Sequence, residues 1–289
     1  MEVYYKMRFL FDSLTSKSYW QYVLLSRSGA ESVLAIYGSF WLIIASLDFF
    51  KVYTRDQYGS YAFLIFLGLS IIGSIIAHRP IRSISVEFPQ QDFSVEVRIA
   101  DLFEVSGAVM VSTNTMYEAD VAGGKIAPDS LQGQFTARYF TGSQDELLGQ
   151  IREALKDVPG APPYPMGTTL PINTHGKTFY FTAMAEFNEQ GNARTTAEDV
   201  RKALAGLWSY VRKAGELQDL AVPVIGTGRG RLKFSRKKMI ALIAESFVRA
   251  STQAKFTDRL VILVRPEDAS RFAVNLYDVK DYLVQTLKS

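Results

Sequence analysis

Two glycine-rich stretches carry the residues best suited to hold a ligand. The first runs Thr113-Asn114-Thr115 and then Ala122-Gly123-Gly124-Lys125; the second is Gly226-Thr227-Gly228-Arg229-Gly230-Arg231. Glycine lets a backbone come close to a ligand and turn its N–H groups inward. Such nests hold phosphate, and a following helix adds its positive N-terminal end. Thr227 offers a hydroxyl, and Arg229 and Arg231 offer charge for an anion. Two such loops on successive strand ends suit a diphosphate. Neither loop places Gly-Lys-Ser/Thr at the start of a helix as a Walker A motif does. Neither gives G-x-G-x-x-G in a strand–helix context.

The elements that must position these loops are legible as alternating strands and helices. Period-two alternation predicts a strand over Phe93–Ile99, and the compact apolar run Gly107–Ser112 predicts a buried one. A helix is predicted over Gln144–Leu155. Strands follow at Thr169–Ile172 and Phe179–Ala183, around a turn at 174–176. Thr196 caps a helix running to about Ala214, with Val200, Leu204, Leu207, Trp208 and Val211 on its apolar face. Leu220–Ile225 and Leu260–Val264 read as strands, and Lys237–Ala250 and Asp278–Leu287 as helices. This alternation predicts an α/β domain, a mostly parallel or mixed sheet covered on both faces. In such sheets ligands bind at the carboxyl ends of strands, where both glycine-rich loops fall.

Ahead of the domain lies a different kind of sequence. Tyr58–Ala77 carries no charge, and Val33–Leu47 is a second apolar run, extended from Ala30 to about residue 50 with Glu31 and Asp48 near its ends. At about 1.5 Å per residue, a helix of some twenty residues spans the roughly 30 Å core of a bilayer. These runs predict a transmembrane hairpin over 30–77, with spans at about 30–50 and 58–77. Lys6, Arg8, Lys17 and Arg27 precede it, and Arg79 and Arg82 follow it. The positive-inside rule then places both termini in the cytoplasm of a multi-pass membrane protein. Phe49, Phe50, Tyr53, Tyr58 and Tyr61 would form an outer aromatic belt, and Trp20 and Tyr22 an inner one. Small residues at Gly68, Ser70, Gly73, Ser74 and Ala77 suit close helix packing, either within one hairpin or between hairpins of a homo-oligomer. Residues 1–29 form a juxtamembrane segment, an amphipathic helix on the inner leaflet or an arm for a partner. Residues 78–289 form the soluble domain with its linker.

Composition excludes several chemistries. With no cysteine, the chain has no disulfide, thiolate metal site or cysteine nucleophile; with two histidines it has no multi-histidine metal site. A net charge of +3 without a basic stripe gives no footprint for nucleic acid. No cofactor or metal is expected.

Several segments resemble a known family. Ala100-Asp101-Leu102-Phe103, the strand ending at Asn114, the pair Gly123-Gly124, and Pro223-Val-Ile-Gly-Thr-Gly228 resemble the macro domain, which binds ADP-ribose. More closely, Ser130-Leu-Gln-Gly-Gln-Phe135 and Ile225–Leu232 resemble the macro-type domain of Thoeris antiphage systems, where a two-helix membrane segment precedes it. The resemblance implies a macro-like three-layer α/β/α domain. Within it, Asp101 would accept from the adenine amino group and Asn114 would face the distal ribose. Gly123 and Gly124, with Gly226, Thr227, Gly228, Arg229, Gly230 and Arg231, would flank the diphosphate. It also implies an antiphage effector: a TIR-domain partner makes an NAD-derived ADP-ribose-type signal, histidine–ADP-ribose being the one suggested, and the bound effector disrupts the membrane. Hydrolytic members usually carry Asn at the position matched by Val111, so binding rather than catalysis is expected. The alternatives are a membrane-tethered ADP-ribosyl hydrolase and a binding module that the hairpin merely anchors.

Overall fold

Val109 and Val111 of one strand and Phe179 and Phe181 of its neighbour alternate inward, fully buried, and around them the α/β unit is built. The computed structural model describes residues 9–11, 13–52, 59–121, 123–187, 193–215, 217–225 and 234–287. The chain forms two units: Met1–Ile81 with Asp268–Asp278, and Arg82–Glu267 with Val279–Ser289.

In the second unit the strands are β1 (Ser83–Phe88), β2 (Phe93–Ile99), β3 (Ala108–Asn114), β4 (Thr169–Thr174), β5 (Lys177–Phe187), β6 (Ala193–Arg194), β7 (Leu220–Pro223) and β8 (Arg259–Val264). They lie in the order β1-β2-β8-β7-β3-β5-β4, with β6 paired to β5. The inner strands β2, β8, β7, β3 and β5 are parallel, and β1 and β4 close the edges antiparallel. The sheet is therefore mixed with a parallel centre. The helices of the first unit are α1 (Lys17–Leu25), α2 (Arg27–Phe49) and α3 (Gly59–Ala77). Those that follow are α4 (Leu131–Tyr139), α5 (Gln144–Leu155), α6 (Ala197–Ala214), α7 (Arg236–Gln253), α8 (Pro266–Arg271) and α9 (Leu276–Leu287).

The two faces of the sheet are covered differently. On one, α4 packs on β3 and α5 on β4. Phe135 of α4 is the hub of an aromatic cluster there, its ring 4.8 Å from Phe179 and 5.0 Å from Phe181. On the other face, α6 packs on β5 and α7 on β8 and β2. Helix α6 starts where its sequence says it should: Thr196 and Asp199 form a reciprocal capping box, and Val200, Ala203, Leu204, Leu207, Trp208 and Val211 are buried. Gly206 meets the backbone of Gly167 so closely that a Cβ would collide with the Gly167 carbonyl. Glycine at both positions lets the helix lie against this loop.

The linker expected at the start of 78–289 gives way to β1 at Ser83. Helix α4 lies within 113–143, where the sequence reading assigned no helix; Ser130 caps it by accepting from Gly133 N–H at 3.0 Å. The reason is local: Phe140 and Phe135 bury on a stretch that is otherwise polar, so periodicity is weak while packing is strong.

In the first unit, α2 and α3 pack side by side. Phe40 stacks on Phe66 with centroids 5.5 Å apart, and Tyr37 meets Phe63 edge-on at 5.8 Å. Ser70 and Ser74 are fully buried, and an added Cβ on Gly73 would sit 3.0 Å from Ile36 Cδ1. This small-residue face is used within the chain. Leu34, Leu42, Ile43, Phe63, Leu64 and Ile65 remain exposed, as do Phe49, Phe50 and Tyr61 of the expected outer belt; Tyr53 and Tyr58 lie outside the described residues. Among the described residues one helix, Arg27–Phe49, is long and apolar enough to cross a membrane; the apolar helix Tyr61–Ala77 is shorter. Tyr22, expected at a membrane interface, is instead buried and stacked on Tyr277, with centroids 5.8 Å apart.

Candidate functional site

The carboxyl end of β3 continues into a loop held by its own side chains. Asn114 is buried, and its Oδ1 accepts from Met116 N–H at 3.0 Å and from Glu118 N–H at 3.1 Å, while its Nδ2 donates to Glu118 O at 3.2 Å. An Asn side chain bonded to the backbone just ahead of it fixes a turn without a regular ladder. Gln132 of α4, also buried, adds a second brace: its Nε2 donates to Glu118 O at 2.8 Å, and its Oε1 accepts from Thr113 Oγ1 at 2.9 Å. Tyr117 anchors the middle of the loop. Its backbone takes φ +51°, and its hydroxyl donates to Thr168 O at 2.5 Å. Burial pushes this phenol well above the ordinary phenol range, so it stays a hydrogen-bond donor.

Beyond Glu118 the chain turns through Asp120–Gly124. Gly123 N–H donates to Asp120 Oδ1 at 2.6 Å, and an added Cβ at Gly123 would collide with the same carboxylate. Gly124 takes φ +78°, which suits glycine, and its N–H donates to Val121 O at 3.1 Å. The two amides expected to face a diphosphate thus have acceptors within the chain, one of them an anion. Lys125 Nζ pairs with Glu118 Oε2 at 2.7 Å, and this partner raises the Lys125 pKa above the ordinary lysine value.

Asp101 follows β2 at the same carboxyl end of the sheet. Its Oδ1 accepts from Phe103 N–H at 2.9 Å, capping a 3₁₀ turn at Leu102–Glu104, and its Oδ2 accepts from Arg138 Nη1 at 3.1 Å. Arg138 also lies 3.6 Å from Glu104 and over the Phe103 ring. Helix α4 therefore touches both parts of the site, through Gln132 at its start and Arg138 near its end.

The structure brings Asn114, Gly123 and Gly124 into one braced loop, and joins Asp101 to it through α4. Gly226, Thr227, Gly228, Arg229, Gly230 and Arg231 lie outside the described residues. The strand leading into that second stretch, β7, neighbours β3, and Val224 N–H donates to Leu263 O at 3.0 Å. Val111 is fully buried in mid-strand, within the core cluster of the sheet. Gln132, Arg138 and Tyr117 escaped the sequence reading. The cap Ser130 with Gly133 was the available sign of α4, but nothing in residue type shows that a glutamine will be buried against a loop.

The mixed sheet with helices on both faces, which carries the candidate site at the carboxyl ends of β2 and β3, is a macro-like fold. The Oceanobacillus iheyensis macrodomain with ADP is similar at 14% identity, over 70% of this chain and 99% of that one, with a TM-score of 0.50. The same macrodomain with MES bound gives 14% identity, 70% and 98% coverage and a TM-score of 0.51; a point mutant with ADPR gives 14%, 69%, 99% and 0.50. At this identity the likeness concerns the fold. Residues 95–265, more than half the chain, match the family described as Thoeris protein ThsA, Macro domain, and the chain belongs to that family. No curated protein matches it.

Proposed function

We propose that the chain is a Thoeris-type antiphage effector that binds an ADP-ribose-type nucleotide at the carboxyl ends of β2, β3 and β7 and then disrupts the membrane. The observation that carries this reading is the braced loop around Asn114, Gly123 and Gly124, which lies inside the family-matched residues and in which the Gly123 amide already seats a carboxylate. Binding by macro-fold neighbours supports the ligand class: the similar structures include ones with ADP and with ADPR. In this reading a TIR-domain partner converts NAD into the signal, histidine–ADP-ribose being the form favoured. Asp101 meets the adenine amino group after loosening from Arg138, Asn114 shapes the distal ribose site, and Gly123, Gly124 and the 226–231 stretch flank the diphosphate. No cofactor takes part. α2 and α3 form a two-span hairpin in the inner membrane with both termini in the cytoplasm, and copies of the chain assemble as a homo-oligomer through their lipid-exposed side chains.

The test uses the full chain in lipid nanodiscs and in dye-loaded liposomes. Calorimetry should show micromolar or tighter binding of ADP-ribose or histidine–ADP-ribose, about −8 kcal/mol or better, and none of AMP. Nucleotide should release the dye. Absence of binding to both nucleotides rejects the reading. Release of free ADP-ribose from an ADP-ribosylated protein would favour the hydrolase instead.

Asp120 gives a sharper prediction. Its carboxylate occupies the Gly123 amide and would repel a diphosphate. Asp120→Asn removes the charge, and by about 1.4 kcal/mol of relieved competition should tighten ADP-ribose binding roughly tenfold. Calorimetry on the variant checks it; weaker binding would show that Asp120 holds the ligand rather than its place.

A further inference from the structure

The segment Asp268–Asp278 is covalently part of the stretch that returns from β8, yet its contacts group it with the first unit. Those contacts are specific. Tyr277 stacks on Tyr22 of α1, with centroids 5.8 Å apart and planes 18° from parallel. His78, which follows α3 directly, meets the Tyr277 ring edge-on at 5.4 Å and the Tyr22 ring at 5.6 Å. The Tyr277 hydroxyl lies 3.1 Å from Arg79 O and 3.4 Å from Ala77 O. Ser18 Oγ donates to Ala273 O at 2.9 Å, and Tyr19 Oη donates to Ile75 O at 3.3 Å. Thus α1, the end of α3 and residues 273–277 are joined around one aromatic triad of Tyr22, His78 and Tyr277.

The other end of this segment leads to the sheet. Arg265, Pro266 and Glu267 alone separate it from β8. At the carboxyl end of β8, Val264 O accepts from Ala100 N–H at 3.2 Å, and Leu263 O accepts from Val224 N–H at 3.0 Å. Ala100 precedes Asp101, and Val224 leads toward Gly226. The last two carbonyls of β8 therefore hold the roots of the two stretches assigned to adenine and diphosphate.

We propose that residues 268–278 are a clasp that holds α1 against the end of α3, and that nucleotide binding at the ends of β2 and β7 opens it through β8. The proposal rests on the nucleotide reading above. Stacked rings and single hydrogen bonds to carbonyls are individually weak, so the clasp is reversible. A nucleotide can open it only by binding the open state more tightly, and by linkage a chain with a broken clasp must bind the nucleotide more tightly in turn.

The chain contains no cysteine, so two can be introduced without background. Gln21 on α1 and Ser270 on α8 are both exposed. Nitroxide labels on Gln21→Cys and Ser270→Cys, in the full chain in nanodiscs, report their separation by pulsed electron resonance, with ADP-ribose binding measured on the same sample. Saturating ADP-ribose should lengthen the distance. Tyr277→Ala should lengthen it with no nucleotide present and tighten ADP-ribose binding severalfold, while Tyr277→Phe, which keeps the stack, should lie between. Binding with unmoved labels, or Tyr277→Ala with unaltered distance and affinity, overturns the clasp alone. Calorimetric silence in the unaltered chain overturns the nucleotide reading and the clasp with it.

Discussion

Asn114→Ala should weaken ADP-ribose binding at least a hundredfold while the sheet stays folded. Its side chain makes three hydrogen bonds to the loop that follows β3, and it is buried. Truncation leaves the Met116 and Glu118 amides without their acceptor, at about 1–3 kcal/mol for each buried group left unsatisfied. The loop answers by rearranging, which moves Asp120, Gly123 and Gly124 out of register with α4. A hundredfold loss corresponds to about 2.7 kcal/mol, within reach of two such amides. Calorimetry gives the affinity, and circular dichroism of the same sample gives the fold. Asn114→Asp keeps both acceptor contacts but replaces the amide donor facing Glu118 O with a carboxylate. It should preserve the turn better than alanine does while adding charge near the diphosphate. Equal affinity of Asn114→Ala and the unaltered chain would show that the loop does not form the site.

Phe135→Ala should have the largest effect on stability. The ring is fully buried and lies 4.8 Å from Phe179, 5.0 Å from Phe181 and 5.2 Å from Tyr139. Removing it deletes apolar contact and leaves a cavity that rigid β-strand neighbours cannot close, a loss of about 3–5 kcal/mol. For a domain of this size that lowers the melting temperature by roughly 10 °C. The same helix carries Gln132 and Arg138, so the variant should also lose nucleotide affinity even below its melting temperature. Thermal unfolding followed by calorimetry separates the two effects. A shift of only a degree or two would mean that α4 is not seated through this ring.

The parallel centre of the sheet was legible because its strands are buried on both faces. Runs such as Leu220–Pro223 and Leu260–Val264 contain little but apolar residues, and helices with clear caps stand between them. The edge strand β1 was harder. Its alternation, with Ile84 and Val86 buried and Ser83 and Ser85 exposed, begins within a stretch where Pro80 and basic residues suggest a linker. Helix α4 was missed because its stability comes from Phe135 and a single buried glutamine rather than from an apolar stripe. Of the candidate site, Asn114, Gly123 and Gly124 were legible by type and spacing as candidates. Their actual bonding was not, since a glycine amide in a sequence looks equally ready for a phosphate or for Asp120.

By itself the sequence determined the α/β architecture, the long apolar helix near its start and the position of the glycine-bearing turn at Gly123-Gly124, since burial pattern and backbone freedom are written in residue type. The tertiary structure decided which polar groups meet. It placed Gln132 beneath the Asn114 loop, set Asp120 on the Gly123 amide and brought Tyr277 against both Tyr22 and His78. Such contacts join residues far apart in the chain, and no local periodicity encodes them.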